Sequence, residues 1–449
     1  MPLKSRAEAL DFAADLVTRA RKKGADAADC LFVQSQSLAA QVRNGELEEL
    51  EQADSFDIGL RVLVGQSQAV VSSTDIAKDA LPEMVDRALA MAKAAPEDPY
   101  AGLADPSRLE RQAGDLDLSD PDAPDSDWLI EQAKQAEGAA LSHEGITNSE
   151  GADSSWSMAR VALSTSGGFE GAYDSTSFGT ACSVLAGEGL GMERDYSYTS
   201  ARHRDDLMKA EAVGHEAATR TLKRLGATKA KTARVPVVYD PRLSGSLIGA
   251  LASAVSGTSV ARKSSFLTDK IGEQVLAEGL LVVDDPKRKR GLRSKPFDGE
   301  GCVNKAIKLI EDGVLKHYFL DAATARQLGM TPNGRAARGT GGPPSPSATN
   351  LYLAAGKISR DDLIGEIEDG FYVTEMMGQG ANLVTGDYSR GASGFWIRKG
   401  ELAEPVSEVT IAGNLKEMFR ALTPASDLEF RYGINAPTCR VDGMMVAGA

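Results

Sequence analysis

Leu10, Ala14 and Val17 fall on one face of residues 7–23, with charged residues between them and Gly24 as a stop. That spacing predicts an amphipathic helix. Beyond it the period shortens to two. Residues 29–36, 38–43, 46–51, 57–64 and 68–72 read as strands, the second and third hinged on Asn44-Gly45, where both residues tolerate positive φ. Gly65-Gln66 turns the last pair, and Asp75 is positioned to cap a helix reaching residue 95, with Leu81, Val85, Leu89 and Ala92 on its buried side. Helix, antiparallel strands, helix is the order of an α+β unit, assigned to residues 1–95.

Residues 96–127 break the pattern. Five prolines and many acids stand among few apolar residues, the composition of a linker or solvated crossing loop. Periodicity returns with a helix over 128–141, strands over 155–164 and 173–185 turned at Gly167-Gly168, and a helix over 205–225. This second α+β subdomain, 128–228, repeats the layout of the first without an evident sequence repeat.

The remainder, 229–449, is glycine-rich and strand-rich. Strands are predicted over 236–239, 280–284, 314–320, 350–353, 371–375, 395–399 and 406–411, then a short helix over 414–422 and a last extended segment. Residues 339–347, GTGGPPSPS, can only be loop. One helix stands out at 244–256, introduced by Asp240-Pro241 and stopped at Gly257. Leu247, Ile248, Leu251 and Val255 form its apolar stripe. Its other face is small: Gly249, Ser253 and Ser256 at i, i+4 and i+7, with Ala250, Ala252 and Ala254 between them, a surface that invites close approach of another backbone. The expected fold is α+β: an N-terminal helix and antiparallel-sheet region, then a large strand-rich C-terminal domain, a curved sheet or open barrel around that helix.

Charge and composition restrict the partners. A chain of 449 residues implies two or three domains, and a formal net charge of −14 argues against direct nucleic-acid binding, which wants clustered cations. The one basic run, Lys287-Arg288-Lys289-Arg290, follows Asp284-Asp285-Pro286 and reads as a solvated loop. Cys30, Cys182, Cys302 and Cys439 lack CxxC spacing, as expected of free thiols in a reducing cytoplasm. With no apolar leader core and no run of about 18 apolar residues, a cytoplasmic protein without membrane contact is expected.

Most chemical motifs fail on inspection. His215-Glu216 begins a zinc-peptidase pattern, but positions 219 and 220 are Thr219 and Arg220; His143-Glu144 is followed by Gly145, Ile146 and Thr147. Each pair supplies one nitrogen and one carboxylate, short of a zinc site. His203 and His317 are isolated. No GxSxG elbow is present, and Gly378-Gln379-Gly380 and Gly339-Thr340-Gly341-Gly342 lack the Lys-Ser/Thr of a phosphate loop, so they read as turns. Between Pro241 and Thr268 there is no His, Asp or Glu, which leaves the central helix without a metal ligand or general base.

The strand, Asp240-Pro241 turn, helix and following Ser264-Ser265-Phe266, with Asn333-Gly334-Arg335 and the late segment Val409-Thr410-Ile411-Ala412-Gly413-Asn414-Leu415, resemble the TldD/PmbA family over nearly the whole chain. The TldD branch carries His-Glu and a second His five places after the first. Residue by residue, these fall on Gly249, Ala250 and Ala254, and the family's third ligand falls on Cys439, where the following Gly of that branch is Arg440. The chain therefore resembles the PmbA branch, also called TldE, which lacks the metal motif. The resemblance implies a metal-free, non-catalytic subunit, with zinc only on a TldD-like metallopeptidase partner, or a homodimer, acting on unfolded peptides such as a microcin precursor leader or an antitoxin. The N-terminal region would supply dimer contacts, and Asn304, Tyr318, Asn333 and Asn350 would line the peptide cleft. Two rivals follow from the same resemblance: an active peptidase in its own right, and a regulatory binder of DNA gyrase.

Overall fold

Ser5 opens the first helix with a reciprocal cap: its hydroxyl accepts from the Glu8 amide, and the Glu8 carboxylate accepts from the Ser5 amide. The computed structural model describes residues 4–77, 79–378 and 380–448. Its first half runs α1 (Arg6–Lys22), β1 (Ala27–Arg43), β2 (Glu46–Val64), β3 (Ser67–Ser73), α2 (Leu81–Ala94), α3 (Ser126–Leu141), β4 (Ile146–Thr165), β5 (Phe169–Ala186), β6 (Glu193–Ala201) and α4 (Ala210–Lys223). Asn44 and Gly45, at φ 52° and 78°, make the expected tight turn.

Several boundaries differ from the sequence pattern, each for a local reason. The four strands expected between 29 and 64 are two long ones, because polar residues in mid-strand keep pairing with neighbours. Asp75 does not start α2; its carboxylate accepts from the Ala77 amide, and the helix begins at Leu81 with Pro82 in the first turn, where a missing N–H costs nothing. Lys78, inside the predicted span, lies outside the described residues, as does Gln379 of the predicted Gly378-Gln379-Gly380 turn. Residues Arg204–Asp206 make only one turn of 3-10 helix and α4 starts at Ala210, and β6 was not evident, because its alternating Arg-Asp-Tyr-Ser-Tyr-Thr carries no aliphatic residue.

The six strands form one antiparallel sheet in the order β3-β2-β1-β4-β5-β6, so residues 1–95 and 128–228 share a sheet. Parity along β1 explains its layers. Cys30, Phe32 and Val42 point to the helical face, the first two into a core with Leu16, Val85 and Leu89, and Val42 into a core with Ala133, Ala136 and Val213. Leu31 and Val33 point the other way, onto Phe169, Phe297 and Cys302.

Residues 96–127 are not simply solvated. Ala104, Leu109, Leu116 and Leu118 are buried, and the segment bonds along its length to both halves, Leu118 O accepting from the Thr176 amide and Leu116 O from the Arg290 amide, each at 2.9 Å. The basic run is loop with Lys289 and Arg290 exposed, as read from the sequence, and this segment gives it partners. Arg290 pairs with Asp117 at 2.6 Å and with Asp206 at 3.0 Å, Lys287 lies 3.6 Å from Glu110, and the Arg288 guanidinium sits 3.5 Å from the Phe430 ring centre.

The second half runs β7 (Ala233–Tyr239), α5 (Pro241–Ala254), α6 (Gly257–Ala261), β8 (Val282–Asp284), β9 (Ile307–Glu311), β10 (Val314–Leu315), α7 (Ala322–Leu328), β11 (Ala336–Ala337), β12 (Ser345–Pro346), β13 (Leu351–Leu353), α8 (Arg360–Gly365), β14 (Asp369–Met377), β15 (Asp387–Arg398), β16 (Glu401–Asn414), α9 (Leu415–Arg420), β17 (Leu422–Pro424), β18 (Ile434–Asn435) and β19 (Cys439–Ala447). Strands β16-β15-β14-β7-β19 close into a five-stranded barrel, because β16 also pairs with β19 through Ile411 and Val446. A second sheet, β10-β9-β8-β13-β18, faces it, and α5 packs against β7 and β14 on one side and β13 and β18 on the other. The expected strand over 314–320 is only two residues long, since Lys316 onward leaves the sheet to reach α7. Residues 339–347 are largely loop, as their composition requires. That loop docks on β2, where a Cβ at Gly59 would lie 2.4 Å from the Thr340 carbonyl oxygen.

Candidate functional site

Asp240 starts α5 by accepting from the Arg242 amide at 3.0 Å, with Pro241 in the first turn. Leu247, Ile248, Leu251 and Val255 are buried as predicted. The small face behaves differently from expectation. Ser253 is exposed and bonds back to Gly249 O at 3.0 Å, and a Cβ at Gly249 would meet only the Ile434 Cδ1, at 3.8 Å. Backbone closeness occurs at Gly245 and Gly257, whose added Cβ atoms would lie 2.9 Å from Ile434 O and 2.8 Å from Phe319 O. Gly257 is no stop; it opens α6, and its amide donates to Phe319 O at 2.8 Å. Gly257→Ala should therefore cost roughly 1–3 kcal/mol by overpacking, whereas Ser253→Leu should stay within about 0.5 kcal/mol. Urea midpoints of the two variants check this, and an unchanged midpoint for Gly257→Ala would place the strain elsewhere.

The four positions implied by the family motif do not converge on one open face. Positions 249 and 254 are about 140° apart around an α-helix. Gly249 and Ala250 are half-buried, whereas Ala254 is fully buried with its carbonyl accepting from Ser265 Oγ at 2.6 Å. Cys439 opens β19 opposite Tyr239, fully buried, and its thiol donates to Pro437 O at 3.3 Å. Burial pushes that thiol up to about 12, with the Ser244 hydroxyl only partly offsetting it. Zinc needs a deprotonated sulfur or imidazole donors converging within about 2.3 Å. Glycine, two alanines and a buried neutral thiol do not fit that ion. Among the described residues no group of three His, Cys, Asp or Glu side chains is arranged to hold a metal.

The side chains expected to line a cleft bond to nearby backbone, and Asn304, Tyr318 and Asn333 lie near one another, since Asn333 donates to Tyr318 O and Asn304 packs beside Gly334. Asn304 is buried and donates to Lys295 O at 3.0 Å. Tyr318 donates to Leu267 O at 2.7 Å and accepts from the Lys270 amide at 3.1 Å. Asn333 accepts from the Leu320 amide and donates to Tyr318 O, fixing the chain on both sides of Phe319. Of the four, Asn350 borders a cavity, of about 310 Å³, yet its side chain is spent on the Arg293 amide, Asp285 O and Ser294 Oγ. Folding does join the two failed His-Glu pairs: His143 and His215 meet at 2.9 Å between ring nitrogens, while Glu216 is taken by Arg220 and Ser197. His203 is held by Asp117 and Asp120, and burial lowers His317.

Sequence reasoning missed a buried ionic cluster where the N-terminal sheet meets α6 and α7. Asp29 pairs with Arg61 and Arg338, all three buried. Close by, Glu300 accepts from the Ala322 amide at 2.8 Å, Asp298 accepts from the Glu300 and Cys302 amides, and Asp321 caps α7. Burial, reinforced by the charges of Asp298 and Asp321, raises Glu300; burial likewise raises Asp298. These residues are scattered over 310 positions of sequence and carry no motif, so no local signal could have assembled them.

Three domain descriptions of one family match consecutive stretches of the chain: PmbA/TldA metallopeptidase domain 1 over residues 28–92, the central domain over 119–225 and the C-terminal domain over 232–448. The metalloprotease PmbA of Escherichia coli is 38% identical over 425 residues, covering 94% of this chain and 92% of the relative. The PmbA homolog of Haemophilus influenzae is 36% identical over 98% of this chain and 96% of the relative. A solved protein of Bacteroides thetaiotaomicron, described as a candidate modulator of DNA gyrase, matches with TM-score 0.90 and 28% identity over 98% of both chains. TldE of Thermococcus kodakarensis has the same fold, with TM-score 0.86 and 20% identity over 97% of this chain and 100% of that one.

Proposed function

Because the chain belongs to the PmbA/TldD metallopeptidase family as a PmbA-like member, we propose that it is the metal-free, non-catalytic subunit of a two-chain peptidase, paired with a TldD-like metallopeptidase and serving to process or degrade unfolded peptides. One observation carries the reading. The helix that presents the metal in the other branch offers Gly249, Ala250 and Ala254 here, and the remaining sulfur of Cys439 is buried and protonated. No hydrolytic step is assigned to a metal on this chain. Its own part is to hold an extended substrate. The outer edge of β6 ends its sheet and carries the half-exposed Tyr196 and Tyr198, with Tyr432 5.5 Å from Tyr198, while the Tyr196 carbonyl accepts from Arg220 at 3.2 Å and Arg242 at 3.4 Å. An extended peptide pairs with a strand edge through backbone hydrogen bonds largely indifferent to side-chain identity, and on β6 it would displace these two guanidinium contacts.

Purified alone, the chain should carry far less than one zinc per molecule by elemental analysis and leave an unfolded peptide intact. Mixed with the TldD-like subunit of the same cell it should form a stable complex that cleaves the peptide in a chelator-sensitive way. Chelator-sensitive cleavage by this chain alone would overturn the reading in favour of an active peptidase. The description of the Bacteroides neighbour brings in a second reading, a regulatory contact with DNA gyrase. Co-purification of gyrase in place of a TldD-like subunit would favour it, through protein contact, since Arg290 of the basic run is paired with Asp117 and Asp206.

A further inference from the structure

The chain leaving α6 is tied to the end of α5 by the Ser265 hydroxyl on Ala254 O, and this fixes the next residue, Phe266, whose amide donates to Leu383 O at 2.7 Å. Phe266, Leu267 and Val275 floor a cavity of about 310 Å³, and Lys416 and Arg420 of α9 form its opposite wall. Phe266 leans on Phe419, with ring centres 6.4 Å apart, so the floor is anchored in the core. The charges around the rim are uneven. Lys270 is neutralised by Glu273 at 3.0 Å. Lys416 and Arg420, one helical turn apart and both exposed, have no ion-pair partner among the described residues, and the Lys416 ammonium lies 5.9 Å from the Phe266 ring centre. Asp387 feels the Lys416 charge from beyond ion-pair distance, and its carboxylate is taken by Thr385 and Asn414.

An apolar floor beneath two unpaired cations matches a ligand that is apolar at one end and anionic at the adjacent atom. We propose that this cavity binds the C-terminal residue of an extended peptide, its apolar side chain on Phe266, Leu267 and Val275 and its α-carboxylate between Lys416 and Arg420. The proposal rests on the peptide-handling reading above and names the end of the substrate that this subunit holds. A long acyl chain is the poorer match, because three apolar residues make a shallow floor and the rim around it is polar.

The test is fluorescence anisotropy on the full chain with a labelled, unstructured decapeptide ending in Leu, compared with the same peptide as its C-terminal amide and with a version ending in Ser. The free acid should bind at least about tenfold more tightly than the amide, the size of effect expected of a charge-assisted hydrogen bond. The double variant Lys416→Gln, Arg420→Gln should erase that difference, while Phe266→Ala should erase the preference for Leu over Ser and keep the acid preference. Equal binding of acid and amide by the parent chain overturns the proposal without any variant. So does a preference that survives the double variant, or a cavity that takes decanoate and ignores the peptide. Complex formation with a TldD-like subunit is read separately by co-purification: loss of the complex with the acid preference intact sinks the subunit reading alone, and the reverse sinks the cavity alone.

Discussion

Replacing Arg335 with Met is expected to destabilise the C-terminal region by roughly 3–5 kcal/mol, the cost of leaving a buried charge without its partner. The Arg335 side chain has no exposed surface. It pairs with Asp284 and donates to the backbone carbonyls of Lys305 at 2.6 Å, Asn333 at 3.0 Å and Asp284 at 3.1 Å. Asp284 in turn accepts from the Thr349 amide and hydroxyl at 2.7 and 2.8 Å, which pins β8 to the start of β13. Burial still pushes the Asp284 carboxyl up, with Arg335 opposing that rise. Arg335 also donates to Gly334 O at 3.2 Å, so removing the cation strands a carboxylate and four carbonyls. Adding Asp284→Asn to Arg335→Met should recover part of the loss, because a neutral amide needs no counter-charge. The measurement is the urea midpoint of the parent and both variants. A single variant as stable as the parent would mean that water reaches this site and the burial argument fails.

A second large effect is expected from pH. Glu300 is pushed up to about 8 from its ordinary value of 4.5, chiefly by burial and then by the charges of Asp298 and Asp321, with the Ala322 amide and Arg61 opposing. Asp298 is raised in the same direction. A carboxyl raised in the folded state holds its proton more tightly there than in the unfolded chain, so the native state carries the extra proton between about pH 4.5 and 8. The stability linked to that proton is intact below pH 4.5 and is lost as the pH rises through 8. The parent should lose stability steadily across this window. Glu300→Gln keeps the acceptor for the Ala322 amide and removes the titration, so it should match the parent near pH 4.5 and exceed it at pH 9 by roughly 2–4 kcal/mol. Thermal or urea unfolding at the two pH values decides it. Parallel curves for parent and variant would show that Glu300 is ionised in the folded protein.

Asn333-Gly334-Arg335 shows how far the residues could be read in advance. The motif supported the family resemblance, yet its role is internal: Asn333 clamps the chain around Phe319, Gly334 holds φ 71° where a Cβ would lie 2.4 Å from Val303 O, and Arg335 satisfies four carbonyls. The same holds for Asn304, Tyr318 and Asn350. Polar residues in a glycine-rich, strand-rich stretch look alike whether they face a substrate or the interior. What separates them is burial, a property of the packed chain.

The sequence alone determined what depends on near neighbours. Helical spacing placed α1, α3 and α5, the last entered at Asp240-Pro241, Asn44-Gly45 placed the long hairpin, and the absence of His, Asp and Glu between Pro241 and Thr268 was read directly from the residues. These are set within a few residues, where backbone propensity and side-chain chemistry act directly. Only the tertiary structure decided which glycines meet backbone, that the acidic stretch 96–127 straps the two halves and neutralises Arg290, that Glu300 shares a buried space with Asp298 and Asp321, and that Phe266 faces Lys416 and Arg420. Each of these joins residues from separate elements, some more than a hundred positions apart, and hydrophobic period or turn chemistry carries no information about which distant strand will close on which.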